Sequence, residues 1–364
     1  MARVALGEAL TNLAAAPVSR WADIKLQANW MWPGRDGPAA AALYQAVEAL
    51  RDALLELGLA LDGGKDSLSM ATETAAGGGE RVPSPPTVVL TAYAPCVDVG
   101  GVVTPDIKVP FEEGAEGEEG VLLHVDLSGR GLQEEGPPLG GSALAQVLVA
   151  ERGGAMDDAM PSSLARPPDL RDPALLRRAF EAVQRLVQQP TGAGPIIRAM
   201  HDVSAGGLIA TVLEMALAGG GGARVTVPAP AATTPAGSVS VAEAARAWLF
   251  GEELGWVLEV CRADLAAVEG ALAAAAVPHR VVGASTRTAE LEVVVGGRGR
   301  GSGEVLLLKE GMAAVRAAWE ATSLRLERLQ ANPACVAAEE RCVGCVLFWW
   351  GVVCFCVLLS DVVC

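Results

Sequence analysis

Three short stretches of this chain combine residue types that could do chemistry. Glu8 and Asn12 stand four apart, which on a helix puts a carboxylate and an amide oxygen on one face, one turn apart. Hard oxygen donors at that separation suit Mg²⁺. The same spacing also serves two solvated or capping side chains. Asp202 and Ser204 lie just before Gly206-Gly207 and an apolar run. Glycines there let a ligand approach the backbone, and free amides at a helix start attract an anion. A neighbouring carboxylate can then hold the Mg²⁺ that accompanies a phosphate. The alternative is a plain N-cap, in which Ser204 or Asp202 accepts from backbone N–H groups. The third stretch, Asp62 to Met70, presents Gly64, the cation Lys65, Asp66 and the hydroxyl of Ser67 in a loop. That is phosphate-binding chemistry with Lys65 as a point charge, without Walker A spacing, or else a polar turn.

Other polar groups read as structural. His201 has no nucleophile paired with it and is expected to be packed or hydrogen-bonded. Asp106, in the turn Thr104-Pro105-Asp106, has no second carboxylate beside it. Cys342 and Cys345 form a lone C-x-x-C, whereas a structural zinc site would need a second pair at suitable spacing.

The elements that must position these groups follow from periodicity. Ala2 to Ala16 predicts a helix stopped by Pro17, with Val4, Leu6, Leu10 and Leu13 as its apolar positions. Ile24 to Trp30 alternates apolar and polar residues, a half-buried strand. Ala39 to Leu57 has helical spacing and stops at Gly58. Ala75 to Pro86 is a Gly/Pro-rich excursion, and Thr87–Ala94 and Val97–Val103 read as strands. The acidic, glycine-rich stretch from Phe111 to Gly120 reads as a linker. Beyond it, strands are predicted at Val121–Leu127, Ile196–His201 and Trp256–Val260, and near Val281, Leu291 and Val305. Helices are predicted at Ser142–Arg152, Pro173–Val187, Leu208–Ala218, Ala242–Phe250 and Ala263–Ala275. This mixed order of short strands and helices argues an α+β fold with layered packing.

Composition bounds the partners. The 364 residues suggest two or three domains, and 51% hydrophobic residues supply a sizeable core. A formal charge of −15, from 43 acidic against 28 basic residues, repels phosphate backbones and argues against nucleic acid. The body of the chain carries only isolated cysteines, Cys96 and Cys261, as expected of a reduced, intracellular protein. Val343 to Ser360 holds 18 residues without charge, long enough for a marginal membrane span. Few flanking basic residues and the nearby Asp361 argue against that reading.

Taken in order, the motifs resemble one family. Gly7-Glu8-Ala9-Leu10-Thr11-Asn12, Asp23 to Met31 (DIKLQANWM) and Gly64 to Met70 (GKDSLSM) are similar to segments of the large, single-chain phosphoribosylformylglycinamidine synthases. So are His201 to Leu208 (HDVSAGGL), Phe250 to Gly255 (FGEELG) and Leu329 to Cys335 (LQANPAC). The resemblance spans about residues 3 to 340. It implies an AIR-synthetase-like half-barrel domain over 1–112 and a layered α/β C-terminal domain over 118–310. A helical connection follows over 311–341, and residues 342–364 form a tail foreign to the family pattern.

The family reaction joins formylglycinamide ribonucleotide, ATP and glutamine in de novo purine biosynthesis, a C–N ligase chemistry fed with ammonia by a glutaminase domain. The resemblance implies that this chain corresponds to the second of two AIR-synthetase-like copies and is a fragment. It implies Mg²⁺ ligands at Glu8, Asn12 and Asp202, a nucleotide contact at Ser204, and an auxiliary bound ATP or ADP. The catalytic residues are not identified, and Cys335 matches a structural position. The implied partners are the first AIR-synthetase-like half and the glutaminase domain, the implied compartment is the cytoplasm or a plastid, and the isolated chain is expected to be inactive. Ala75–Glu80 and Met156–Pro168 read as tolerated surface insertions. Two alternatives stand beside this: a non-catalytic nucleotide-binding scaffold, and a stand-alone AIR-synthetase-superfamily enzyme.

Overall fold

A computed structural model describes residues 1–34, 37–73, 79–112, 119–130, 138–152, 166–189, 195–228, 241–296 and 304–345. The first helix, α1 (Ala2–Leu13), buries Ala2, Leu6 and Leu10 along one stripe. It ends short of the predicted Ala16, because a residue before proline is biased out of the helical region. The chain turns there instead, with the Ala16 N–H donating to the Leu13 carbonyl at 3.1 Å. Strand β1 (Lys25–Met31) buries Leu26, Ala28 and Trp30, as the period of two requires. Helix α2 (Gly37–Leu57) buries Leu50, Ala53, Leu54 and Leu57.

Strands β2 (Leu61–Ser67) and β5 (Thr87–Tyr93) flank β1, β2 parallel and β5 antiparallel, giving a three-stranded sheet. Two short strands, β3 (Ala71–Glu73) and β4 (Arg81–Pro83), form a separate antiparallel pair, β3 just before the Gly/Pro-rich excursion and β4 within it. Val97–Val103 is not the predicted strand. After an isolated bridge between Val18 and Cys96, the Asp98 side chain accepts from Gly100 N at 2.9 Å and folds the chain into a 3-10 turn over Val99–Gly101. A short polar side chain before two glycines favours that local bond over a strand ladder.

The second sheet has seven strands. They are β6 (Gly120–Asp126), β7 (Ala199–Asp202), β8 (Gly222–Pro228), β9 (Gly255–Val260), β10 (His279–Thr286), β11 (Glu290–Gly296) and β12 (Val305–Gly311). Their spatial order is β12-β11-β8-β10-β6-β9-β7, antiparallel throughout except for the parallel pair β11–β8. Strand β9 is buried at every residue, as expected of a strand covered on both faces.

The helices of this half are α3 (Ala143–Arg152), α4 (Pro173–Val187), α5 (Gly207–Gly219), α6 (Val241–Phe250) and α7 (Leu265–Ala274). Helix α4 starts where Asp172 accepts from Leu175 N at 2.8 Å and Pro173 takes the first position. One core unites α1, α2 and the first sheet with α4, α7 and one face of the second sheet, through Leu6, Leu10, Leu26, Phe180, Trp256 and Leu258. A second core joins α5 and α6 to the opposite face, through Val212, Met215, Trp248, Val225 and Val257. Two further helices, α8 (Met312–Gln330) and α9 (Pro333–Cys345), follow β12.

Several expectations fall on residues outside those described: 113–118 of the acidic linker, most of both insertions, and 346–364 of the tail. Among the described residues no helix is long and apolar enough to cross a membrane.

Candidate functional site

Helix α1 is held against the second sheet by two contacts that fix its rotation. Trp256 Nε1 on β9 donates to the Thr11 carbonyl at 3.0 Å, and Gly7 packs so closely on Leu254 that a Cβ there would overlap it. This turns Glu8 and Asn12 toward the end of β7, where Asp202 lies 93% buried. Asn12 Nδ2 donates to Asp202 Oδ2 at 3.3 Å and to the Glu8 carbonyl at 3.0 Å. Glu8, Asn12 and Asp202, separated by some 190 positions in sequence, therefore meet at one place. Burial pushes the Glu8 carboxyl up, and the charges of Asp202 and then Glu252 push it further. Carboxylates crowded in this way are a donor set that a hard divalent ion would relieve.

The turn after β7 differs from the expectation of free amides. Gly206 N donates to Glu252 Oε1 at 2.8 Å, and Gly207 N donates to the Ser204 carbonyl at 3.0 Å. Glu252 also accepts from Ala143 N at 2.8 Å, so a single carboxylate ties the starts of α3 and α5 together. The N-cap alternative is corrected as well, since the cap of α5 is Gly206, at φ +86°, without a side-chain bond. Ser204 is half-buried at the mouth of this turn.

Gly64, Lys65, Asp66 and Ser67 form no loop. They belong to β2, an edge strand in register with β1, Lys65 opposite Asn29 and Asp66 opposite Trp30. Gly64, at φ +151°, lies so close to the Ala28 carbonyl that a side chain would overlap it, which is why the polar stretch can pair as a strand. Lys65 Nζ donates to Ser67 Oγ at 2.8 Å. No hydrogen bond or ion pair among the described residues joins this group to Glu8, Asn12, Asp202 or Ser204.

His201 is a hydrogen-bonding histidine, as read from the sequence, but in an unexpected setting. Its ring stands between Asp202 Oδ1 at 3.0 Å and Glu214 Oε2 at 3.1 Å. Burial alone would lower its pKa, and the two carboxylates outweigh that, raising it to about 9. Sequence reasoning missed Glu214, Glu252 and Glu253. Glu253 is buried and pairs with Arg171 at 2.8 Å, bracing the loop that carries Glu252. Glu252 and Glu253 both stand in the segment FGEELG, the signal that could have found them.

The chain's family follows from comparison with known proteins. The family described as FGAR-AT PurM_N-like domain matches residues 1–95, and the AIR synthase related protein, C-terminal domain, matches residues 131–296. A protein of Arabidopsis thaliana named probable phosphoribosylformylglycinamidine synthase, chloroplastic/mitochondrial, is 40% identical over 340 residues, 93% of this chain and 21% of that protein. The phosphoribosylformylglycinamidine synthase of Homo sapiens is 41% identical over 346 residues, 93% of this chain and 22% of that protein. The chain belongs to the phosphoribosylformylglycinamidine synthase family. It spans about a fifth of the length of these curated relatives. Among solved structures, T. maritima PurL complexed with FGAR shares the fold with a TM-score of 0.54 at 13% identity, over 86% of this chain and 42% of that one. T. maritima PurL complexed with ATP gives 0.50 at 14%, over 85% and 40%. The AIR-synthetase-like α+β fold of the family is thus the fold of this chain.

Proposed function

We propose that this chain contributes an auxiliary Mg²⁺-nucleotide site to a phosphoribosylformylglycinamidine synthase. The observation that carries the reading is the meeting of Asn12 with Asp202 beside Glu8. Among the described residues no three His, Cys, Asp or Glu side chains could hold a metal by themselves. That fits Mg²⁺, which takes one or two carboxylates from a protein and completes its shell with water and phosphate oxygens. In the proposal Glu8 and Asp202 supply carboxylate oxygens. Asn12 turns its amide so that its oxygen, not the Nδ2 now on Asp202, faces the ion. Ser204, at the mouth of the turn, donates to the nucleotide. The ion would supply charge neutralisation for the phosphates of ATP or ADP. Gly64, Lys65, Asp66 and Ser67 enter only as a second, exposed phosphate contact on β2.

The whole protein's activity is part of the same proposal: ATP- and glutamine-dependent conversion of formylglycinamide ribonucleotide to the amidine. Its partners would be another AIR-synthetase-like half and a glutaminase domain, in the cytoplasm or a plastid. The exposed edge strand β2 supports pairing of the first sheet with such a half, because an unpaired edge seeks a partner. The 364-residue chain alone is expected to hold nucleotide without making amidine from ammonia. Amidine formed at a rate above background would contradict this. Asp202→Asn keeps the shape of the side chain and removes its charge and one of its two acceptor oxygens. It should weaken Mg-ADP binding by about 10- to 100-fold in equilibrium dialysis, the usual cost of impairing a metal site. Unchanged binding would remove Asp202 from the site.

A further inference from the structure

We propose that Glu214 is a positioning residue for Asp202, acting through His201. The proposal rests on the reading of Asp202 as a metal ligand. A carboxylate's terminal torsion is soft, so an aspartate alone does not fix which oxygen it offers or in what direction. Here one oxygen is committed: Asp202 Oδ1 faces His201 Nδ1 at 3.0 Å, which leaves Oδ2 for Asn12 and the Glu8 side of the site.

The imidazole that makes this commitment is itself held. Its Nε2 lies 3.1 Å from Glu214 Oε2, on the second turn of α5. The two ring nitrogens thus face Asp202 and Glu214 on opposite sides of the ring. The ring cannot turn about its own torsion without losing one bond or the other. Glu214 thereby fixes His201, and His201 fixes Asp202.

The arrangement is not needed to join α5 to β7. Thr211 Oγ1 already does so by donating to the Asp202 carbonyl at 3.1 Å from a buried position. Glu214 is 38% exposed, so solvent screening discounts what its pair with His201 adds to stability. What the chain gains is the orientation of one carboxylate. Partners behind a ligating carboxylate commonly govern 10- to 100-fold in metal affinity.

The test measures binding of Mn²⁺-ADP to the 364-residue chain, by electron paramagnetic resonance of free Mn²⁺, together with thermal unfolding. The variants are Asp202→Asn, His201→Gln, Glu214→Gln and the double variant His201→Gln/Glu214→Gln. Glu214→Gln is expected to weaken binding about tenfold while lowering the unfolding midpoint by no more than about 5 °C. Glu214→Asp, which keeps the charge on a shorter arm, should recover part of that loss. The double variant should bind no more weakly than His201→Gln alone, because Glu214 has no other route to the metal. Independent, additive losses would overturn the proposal. So would wild-type affinity in Glu214→Gln alongside a weakened Asp202→Asn. If Asp202→Asn itself binds normally, the site reading fails rather than the positioning role.

Discussion

Replacing Gly207 by alanine is expected to destabilise the chain by about 3 kcal/mol or more and to abolish nucleotide retention. Two independent penalties combine at this position. Gly207 sits at φ +71°, where a side chain costs roughly 1–2 kcal/mol. A Cβ there would also stand 2.7 Å from the Phe250 carbonyl carbon and 2.8 Å from the carbonyl oxygens of Leu249 and Gly251. All three are backbone atoms at the end of α6, and Gly251 is tied by its own N–H to Ala247 at 2.9 Å, so the strand of chain cannot simply swing aside. Any shift is passed to Glu252, the next residue, and pulls it off Gly206 N and Ala143 N. The site would then lose the turn after β7 together with its neighbour α3. Urea unfolding followed by circular dichroism checks the stability, and dialysis against labelled ADP checks the retention. A midpoint equal to that of the wild type would refute this account of the α5–α6 contact.

The second large effect is expected far from the ligand. Glu259→Ala should cost about 3 kcal/mol, from two buried donors left without an acceptor and a cavity in the sheet. Glu259 is fully buried on β9, where it accepts from Ser285 Oγ on β10 and from Lys108 N at 2.7 Å. It thereby fastens the segment leaving the first half of the chain onto the second sheet. Glu259→Gln retains an acceptor and should be far milder.

The two forms should also differ with pH. Burial pushes the Glu259 carboxyl up, outweighing the Ser285 and Lys108 bonds that pull it down. The folded state therefore holds this proton more tightly than the unfolded chain. Its contribution to stability is fully present at acid pH and is lost as pH rises from the ordinary glutamate pKa through the raised folded value. Glu259→Gln has no such proton. Denaturant titrations at a series of pH values should therefore show the wild type losing stability relative to Glu259→Gln across that window. A constant difference would contradict the burial argument.

Much of this fold can be read from local pattern. Leu26, Ala28 and Trp30 announce β1 by alternation, and Asp172, Pro173 and the apolar stripe of α4 mark both the start and the buried face of that helix. The acidic residue in the otherwise apolar run Trp256–Val260 was a legible sign that Glu259 has buried partners, though not which ones. Two segments were misread because local chemistry and tertiary pairing disagree. The stretch around Gly63-Gly64-Lys65 has the composition of a loop and becomes β2 only because β1 offers it a ladder. Val97–Val103 has the composition of a strand and folds on Asp98 instead.

At the site, the spacing of Glu8 and Asn12 placed both on one helical face, and the Asp202 turn was visible as a strand end before two glycines. What joins them was not visible. Trp256 reaching Thr11, Glu252 closing on Gly206, and Glu214 reaching His201 are contacts between distant segments or across a helix face, and no spacing rule encodes them.

The central claim is that Glu8, Asn12 and Asp202 together hold a metal-bound nucleotide. It is tested most directly by isothermal titration of ADP into the purified chain, with Mg²⁺ present and then with the metal removed by EDTA. The account predicts one ADP bound per chain with Mg²⁺ and loss of that binding with EDTA. Binding that persists without the metal, or no binding in its presence, would contradict it.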